Sequence, residues 1–110
     1  LNGLYELLYT LIIDKVLFFV YIKYMKIVWD ERALNIVKHK LDFADVIYFD
    51  WAHAFIDATH SNRMKAIGHF ADGTTVIVFA KLGNEAISII SFRRANKKER
   101  EVFNDYQKNL

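Results

Sequence analysis

The chain has no cysteine, no proline and only four glycines in 110 residues. Without cysteine there are no disulfides, no thiolate metal sites and no cysteine nucleophile, a usage compatible with the cytosol. The glycines, at positions 3, 68, 73 and 83, form no glycine-rich phosphate loop, and the sequence contains neither a His-Glu-x-x-His zinc motif nor a nucleophile elbow. Long apolar runs are also missing. Leu7–Ile13 and Val16–Ile22 are separated by Asp14-Lys15, and neither approaches the ~20 apolar residues of a spanning helix. The two ionised groups would sit mid-span, where they are expensive.

What is present is apolar: 54% of the residues are hydrophobic and 15% aromatic. That excludes a disordered chain, and the length allows one domain with a single modest core. The net charge of +2 matters less than its distribution. Met25–Asp57 carries four basic and six acidic side chains, Ala58–Leu110 nine basic and five acidic. A basic C-terminal half suits a polyanion or an acidic protein partner, although an ordinary solvated surface has the same charge signature.

Residues 1–24 differ in character from the rest. The preferred reading is a translated upstream region with Met25 as the true start, leaving residues 25–110 as the folded domain. The alternatives, in order, are an amphipathic helix packed on the core or a partner, and a membrane anchor. No basic cluster or small-residue cleavage site supports a signal peptide.

From Met25 on, the pattern predicts an α+β domain. Lys26–Trp29 is a strand candidate. Asp30 caps a helix from Glu31 that buries Ala33, Leu34 and Val37 and ends at Lys38-His39-Lys40, where cations suit the helix dipole. Asp42 caps a second helix, with Phe43, Val46, Ile47 and Phe49 or Asp50 on its apolar face. Phe55-Ile56 is a short strand, Asp57–Asn62 a loop, and Arg63–Phe70 alternates like a strand. Asp72-Gly73 marks a hairpin turn into Thr74–Ala80. Gly83-Asn84 turns into Ala86–Phe92, whose apolar phase changes between Ile89 and Ile90 and suggests a bulge. Asn96 and Glu99 form a capping arrangement for a last helix burying Val102, Phe103 and Tyr106. The layout is an antiparallel β-meander with an N-terminal strand, two short helices and a C-terminal helix, all helices on one side of the sheet.

Four blocks in order, Met25-Lys-Ile-Val-Trp-Asp, Lys38-His39, Asp42-Phe43 and Ile87–Arg100 with its Arg93-Arg94 pair, resemble the BrnT family of type II toxins, over about residues 25 to 106. The resemblance implies a RelE-like fold and a cytoplasmic, metal- and cofactor-independent endoribonuclease that stops translation. It also implies a BrnA-like ribbon-helix-helix antitoxin, through which the complex binds operator DNA. RNA cleavage by the RNA's own 2′-hydroxyl needs proton transfer and stabilisation of a charged phosphorane, and arginines meet the second need. By resemblance the catalytic candidates are Arg63, ranked first, then Arg93, Arg94 and His39. Lys38, Lys65, Lys97 and Lys98 are the RNA-binding candidates.

Phe79, Phe92, Lys97, Lys98 and Arg100 are assigned to the antitoxin interface, and Trp29 and Asp30 are read as a core anchor and a helix cap. Arg93 and Arg94 cannot share a face of a regular strand, so one is expected on phosphate and the other on a carboxylate such as Asp57 or Glu99. The histidines at 39, 53, 60 and 69 are too scattered for a metal cluster, and a helix-end role is the plain reading of His39. Departures from the family pattern, Ser88 for an arginine and Asn62 for an acidic residue, favour a second hypothesis. That is a weakened homologue acting only as an antitoxin- or RNA-binding module.

Overall fold

Cross-strand register organises this domain. The computed structural model describes residues 26–30 and 35–110, the side chains of Asn35 and Val37 excepted. The expectations for residues 1–24, the start at Met25, the Asp30 cap on Glu31 and the burial of Ala33, Leu34 and Val37 lie outside them. The described elements are β1 (Lys26–Trp29), α1 (Asn35–His39), 3-10 helices at Phe43–Tyr48 and Trp51–His53, β2 (Phe55–Ala58), β3 (Arg63–Phe70), β4 (Gly73–Leu82), β5 (Ala86–Arg94) and α2 (Lys97–Lys108). The strands form one sheet in the order β1-β5-β4-β3-β2.

β2 to β5 make the expected antiparallel meander. The N-terminal strand β1 departs from the antiparallel pattern: it pairs parallel to β5, Lys26 opposite Ala86 through Trp29 opposite Ile89. A parallel neighbour needs a long crossover, supplied here by the entire meander. The bulge is where the apolar phase changes. Val78 pairs with Ser91 and Phe79 with Ile89, leaving Ile90 as the extra residue.

The sheet is covered on both faces, which corrects the expectation of helices on one side. Residues alternate between faces, and antiparallel partners share one. Ala66, Ile77, Phe79, Ile87, Ile89 and Phe92 point to the larger core, closed by Phe43, Val46, Phe49 and Trp51 of the 3-10 segment. Ile67 and Val76 point the other way and pack with Ala95 and Phe103, under α2. A domain this small gains apolar burial from using both surfaces of its sheet.

The second predicted helix is 3-10 rather than α. Asp42 caps it as expected, its carboxylate accepting the Ala44 N–H at 2.9 Å. Phe43 and Val46 are buried but Ile47 is 60% exposed, because three residues per turn keep positions 43, 46 and 49 in register and turn 47 outward. Trp51 then locks the layer. Its Nε1 donates to the Val46 carbonyl at 2.9 Å, and its ring stands edge-on between Phe49 and Phe79. Gly68 is required beneath this layer, since a Cβ there would lie 2.8 Å from Phe49 Cζ. Trp29, expected in the core, is 37% exposed and meets Phe43 edge-on.

The β3–β4 turn places Ala71 and Asp72 in the loop, with Gly73 already paired to Phe70. Ala71 carries the left-handed backbone (φ 55°), a conformation that suits glycine. Ala71→Gly is therefore expected to stabilise the fold by about 1 kcal/mol, a rise in Tm of several degrees in a thermal melt.

Candidate functional site

Arg63 and Lys65 share a face of β3 because they are two residues apart. Their partners across the sheet define that face: Arg63 lies opposite Ala80, and Ala80 opposite Ser88; Lys65 lies opposite Val78, and Val78 opposite Ser91. The bulge brings Arg93 to the same face, opposite Val76, while Arg94, opposite Thr75, belongs to the other. The face is the one α2 packs on, and α2 covers only the Ile67–Val76 end of it. The other end keeps a half-buried floor of Ala80, Ser88 and Ser91, with Val78 packed against the α2 cluster at its margin, bordered by the half-buried Arg63, Lys65 and Arg93.

Glu99 is the organising anion. It receives both guanidinium nitrogens of Arg93, at 2.7 and 2.8 Å, and the Lys65 ammonium at 2.6 Å. It also accepts the Asn96 N–H at 2.9 Å, completing a capping box with the Asn96 side chain on the Glu99 N–H at 2.8 Å. These partners, Arg93 foremost, hold its carboxyl down at about 2 against an ordinary 4.5. The Arg93 guanidinium is raised in turn by its bond to Glu99. The carboxylate partner expected for one of the two arginines is thus Glu99, taken by Arg93.

Arg63 differs from both neighbours: its guanidinium has no hydrogen-bond or ion-pair partner among the described residues. It is a half-buried cation on the same face as Ala80 and Ser88, with no internal anion among the described residues. His39, at the end of α1 beside β5, is half-buried. Burial, then Lys38, then Arg93 push its imidazole below the usual 6.5, so it is neutral near pH 7 and close enough to Arg93 to sense its charge. Lys38 is exposed beside it. Among the described residues no group of His, Asp or Glu is arranged to hold a metal ion.

Other expected site residues fall elsewhere. Arg94 is exposed on the opposite face, its guanidinium over Gly73. Lys97 and Lys98 are exposed on the first turn of α2. Cations there oppose the helix dipole, which the capping Glu99 offsets. Arg100 donates to the Ala95 carbonyl at 2.7 Å. Phe79 and Phe92 are corrected: both are fully buried in the larger core, where no partner reaches them in the folded protein. Of the five interface assignments, only the three basic ones remain at the surface. Val102, assigned to the core, is 38% exposed.

A cleft of about 360 Å³ adjoins the cationic group, between β2, β3 and the first turns of α2, with Lys65 and Glu99 at its inner end. Sequence reading missed it, because its walls come together only when α2 folds back on β3. The face as a whole brings three cations around a half-buried, partly apolar floor, with the His39 imidazole near Arg93.

The family model described as "Ribonuclease toxin, BrnT, of type II toxin-antitoxin system" matches residues 29–99, from the last residue of β1 to Glu99. The crystal structure of the Brucella abortus ribonuclease toxin, BrnT, is 42% identical in sequence. It superposes with a TM-score of 0.59 over 66% of this chain and 99% of that one. No curated protein matches. No helix among the described residues is long and apolar enough to cross a membrane. A family match over well more than half of the chain, with a shared sheet and C-terminal helix, settles its membership: the chain belongs to the BrnT family of ribonuclease toxins of type II toxin–antitoxin systems.

Proposed function

We propose that this chain is a metal-independent endoribonuclease that cuts RNA through attack of the RNA's own 2′-hydroxyl, and so inhibits translation. The observation that carries the reading is the Arg63 guanidinium, without a partner among the described residues, on the same face as Lys65 and Arg93. Arg63 receives the scissile phosphate and stabilises the phosphorane, where a preorganised cation is worth most. Arg93, fixed by its bidentate bond to Glu99, adds a second positive group without needing to be ordered on binding. His39, its pKa lowered by burial and by Lys38 and Arg93, takes up the 2′-hydroxyl proton as the 2′ oxygen bonds to phosphorus; the P–O5′ bond breaks and the leaving 5′ oxygen takes a proton from solvent. Lys38, Lys97 and Lys98 hold the flanking backbone.

The fold is read as RelE-like and the location as cytoplasmic. The regulator is a BrnA-like antitoxin of ribbon-helix-helix type, and operator DNA is reached through it. The exposed Lys97 and Lys98 and the α2 start suit an acidic segment of such a partner.

The test is induction of the full chain in a bacterial host, with its RNA fragments mapped. Growth arrest with 2′,3′-cyclic phosphate ends, and the same ends from purified protein in excess EDTA, is the expected result. Fragments ending in 3′-hydroxyls, or cleavage abolished by EDTA, would refute the mechanism.

One observation favours the second reading, a weakened toxin that binds without cutting. Ser88 lies on the same face as Arg63, across Ala80, where the family pattern has an arginine. Its loss removes a cation from that face. Ser88→Arg is therefore expected to raise kcat/KM on RNA about tenfold, measured with a fluorogenic oligoribonucleotide; an unchanged rate would mean that position 88 does not see the phosphate.

A further inference from the structure

The cleft beside the cationic face is built from two kinds of surface. Phe55, Ile67 and Val102 supply apolar walls, and Phe55 is held in place by the Tyr106 ring at 5.1 Å. The polar rim contains Asp57, Asn96 and Lys98. Lys65 belongs to both the cleft and the cationic group, so a molecule in the cleft lies one side chain away from a phosphate at Arg63.

Asp57 is the unusual member. It projects from β2 directly opposite Lys65, yet Lys65 is engaged with Glu99. One Asp57 oxygen accepts the neighbouring Ala58 N–H at 2.8 Å; among the described residues the carboxylate has no cationic partner. An unneutralised carboxylate at the margin of a polyanion-binding face weakens binding of phosphate generally. It helps only where the ligand presents hydrogen-bond donors. Asn96 adds a complementary group, since its Oδ1 is used by the Glu99 N–H and its amide nitrogen is left as a donor.

We infer that this cleft is a nucleobase subsite selective for guanine, an inference that rests on the ribonuclease reading above. An unstacked base meets the apolar walls, as single-stranded RNA is usually read. On its Watson–Crick edge, guanine presents two adjacent donors, N1–H and N2–H, matched to a carboxylate, and an O6 acceptor matched to the Asn96 amide. Adenine and cytosine each offer one amino group. Uracil offers one N–H flanked by two carbonyl oxygens, which the carboxylate repels. Lys98 at the rim pairs with the phosphate of the bound nucleotide.

The test uses the full chain and four single-stranded oligoribonucleotides that differ only in the base beside the cleaved bond. Wild type is expected to cut the guanine substrate about tenfold or more faster, in kcat/KM, than the uracil one, the size of effect of a bidentate base contact. Asp57→Asn is expected to bring that ratio near one while still cutting the uracil substrate. No preference in the wild type, or a guanine preference that survives Asp57→Asn, overturns the subsite and leaves the ribonuclease reading standing. If no RNA is cut at all, that reading fails and GMP and UMP titrations of the isotope-labelled wild-type chain decide the subsite alone. Amide shifts confined to the Phe55, Thr59 and Ile67 region that saturate with GMP before UMP uphold it; equal or absent shifts overturn it.

Discussion

Glu99→Ala is expected to cost about 3 kcal/mol of folding stability at pH 7. Three interactions vanish together. The Arg93 and Lys65 cations, 28% and 32% exposed, lose the anion they share, and α2 loses half of its capping box. Breaking a fully buried pair costs about 3–5 kcal/mol because a charge is stranded. Here both cations keep some contact with water, which lowers that part, and the lost cap adds about 1 kcal/mol. Glu99→Gln keeps an acceptor for the Asn96 N–H and is expected to lose about half as much. Urea unfolding of the three proteins measures both values.

The same substitution sets the acid sensitivity of the fold. The Glu99 carboxyl lies at about 2 in the folded chain against an ordinary 4.5. A depressed carboxyl contributes stability that is complete above its unfolded value and is lost as pH falls toward its folded value. The window is therefore about pH 4.5 down to 2, and the shift corresponds to about 3 kcal/mol for a side chain only 7% exposed. Wild type and Glu99→Ala are expected to differ most at neutral pH and to converge near pH 2. Parallel stability curves across that range would show that Glu99 acts through packing rather than charge.

The meander was legible in the sequence because its signals are local. Alternation in Arg63–Phe70, the turn signals Asp72-Gly73 (one residue late, since the loop is Ala71-Asp72) and Gly83-Asn84, and the Asn96–Glu99 box each act within a few residues. Layering was not legible. Whether α2 joins the 3-10 segment on one face or takes the other depends on a long-range choice that Val102, Phe103 and Tyr106 do not encode. The parallel pairing of β1 is equally non-local, since four residues fit either direction. Trp51 was unassigned because its partners, the Val46 carbonyl and the Phe79 ring, come from a loop and a distant strand.

The site was half legible for the same reason. Arg63 and Lys65 follow from simple alternation. The face of Arg93 depends on the bulge: strict alternation from Ile87 and Ile89 would send Arg93 into the larger core, and the extra Ile90 reverses it. The phase change at Ile89–Ile90 was the signal for this, and it also explains why Phe92 is core rather than interface. Glu99 was readable as a cap, but its hold on Lys65 needs α2 folded over β3.

Arg63→Ala is expected to lower kcat/KM for RNA cleavage by 10²-fold or more while leaving the melting temperature nearly unchanged. Removing one preorganised donor to a developing oxyanion costs about 10²–10³ in rate. The Arg63 side chain makes no hydrogen bond or ion pair among the described residues, and its backbone bonds to His60 and Thr59 survive the substitution, so the fold loses little, within about 0.5 kcal/mol. Arg93→Ala is a poorer probe, because it frees Glu99 and mixes instability with chemistry. Arg94→Ala, on the opposite face, is expected to stay within about threefold of wild type, since a cation across the sheet is screened from the phosphate. Arg63→Lys separates the two roles a guanidinium can play. A compact ammonium restores charge but not the planar, two-toothed grip on phosphate oxygens. If transition-state binding is what Arg63 supplies, lysine recovers KM and leaves kcat low. If lysine restores both, Arg63 contributes charge alone, and the geometry of the phosphorane is set by Arg93 and His39.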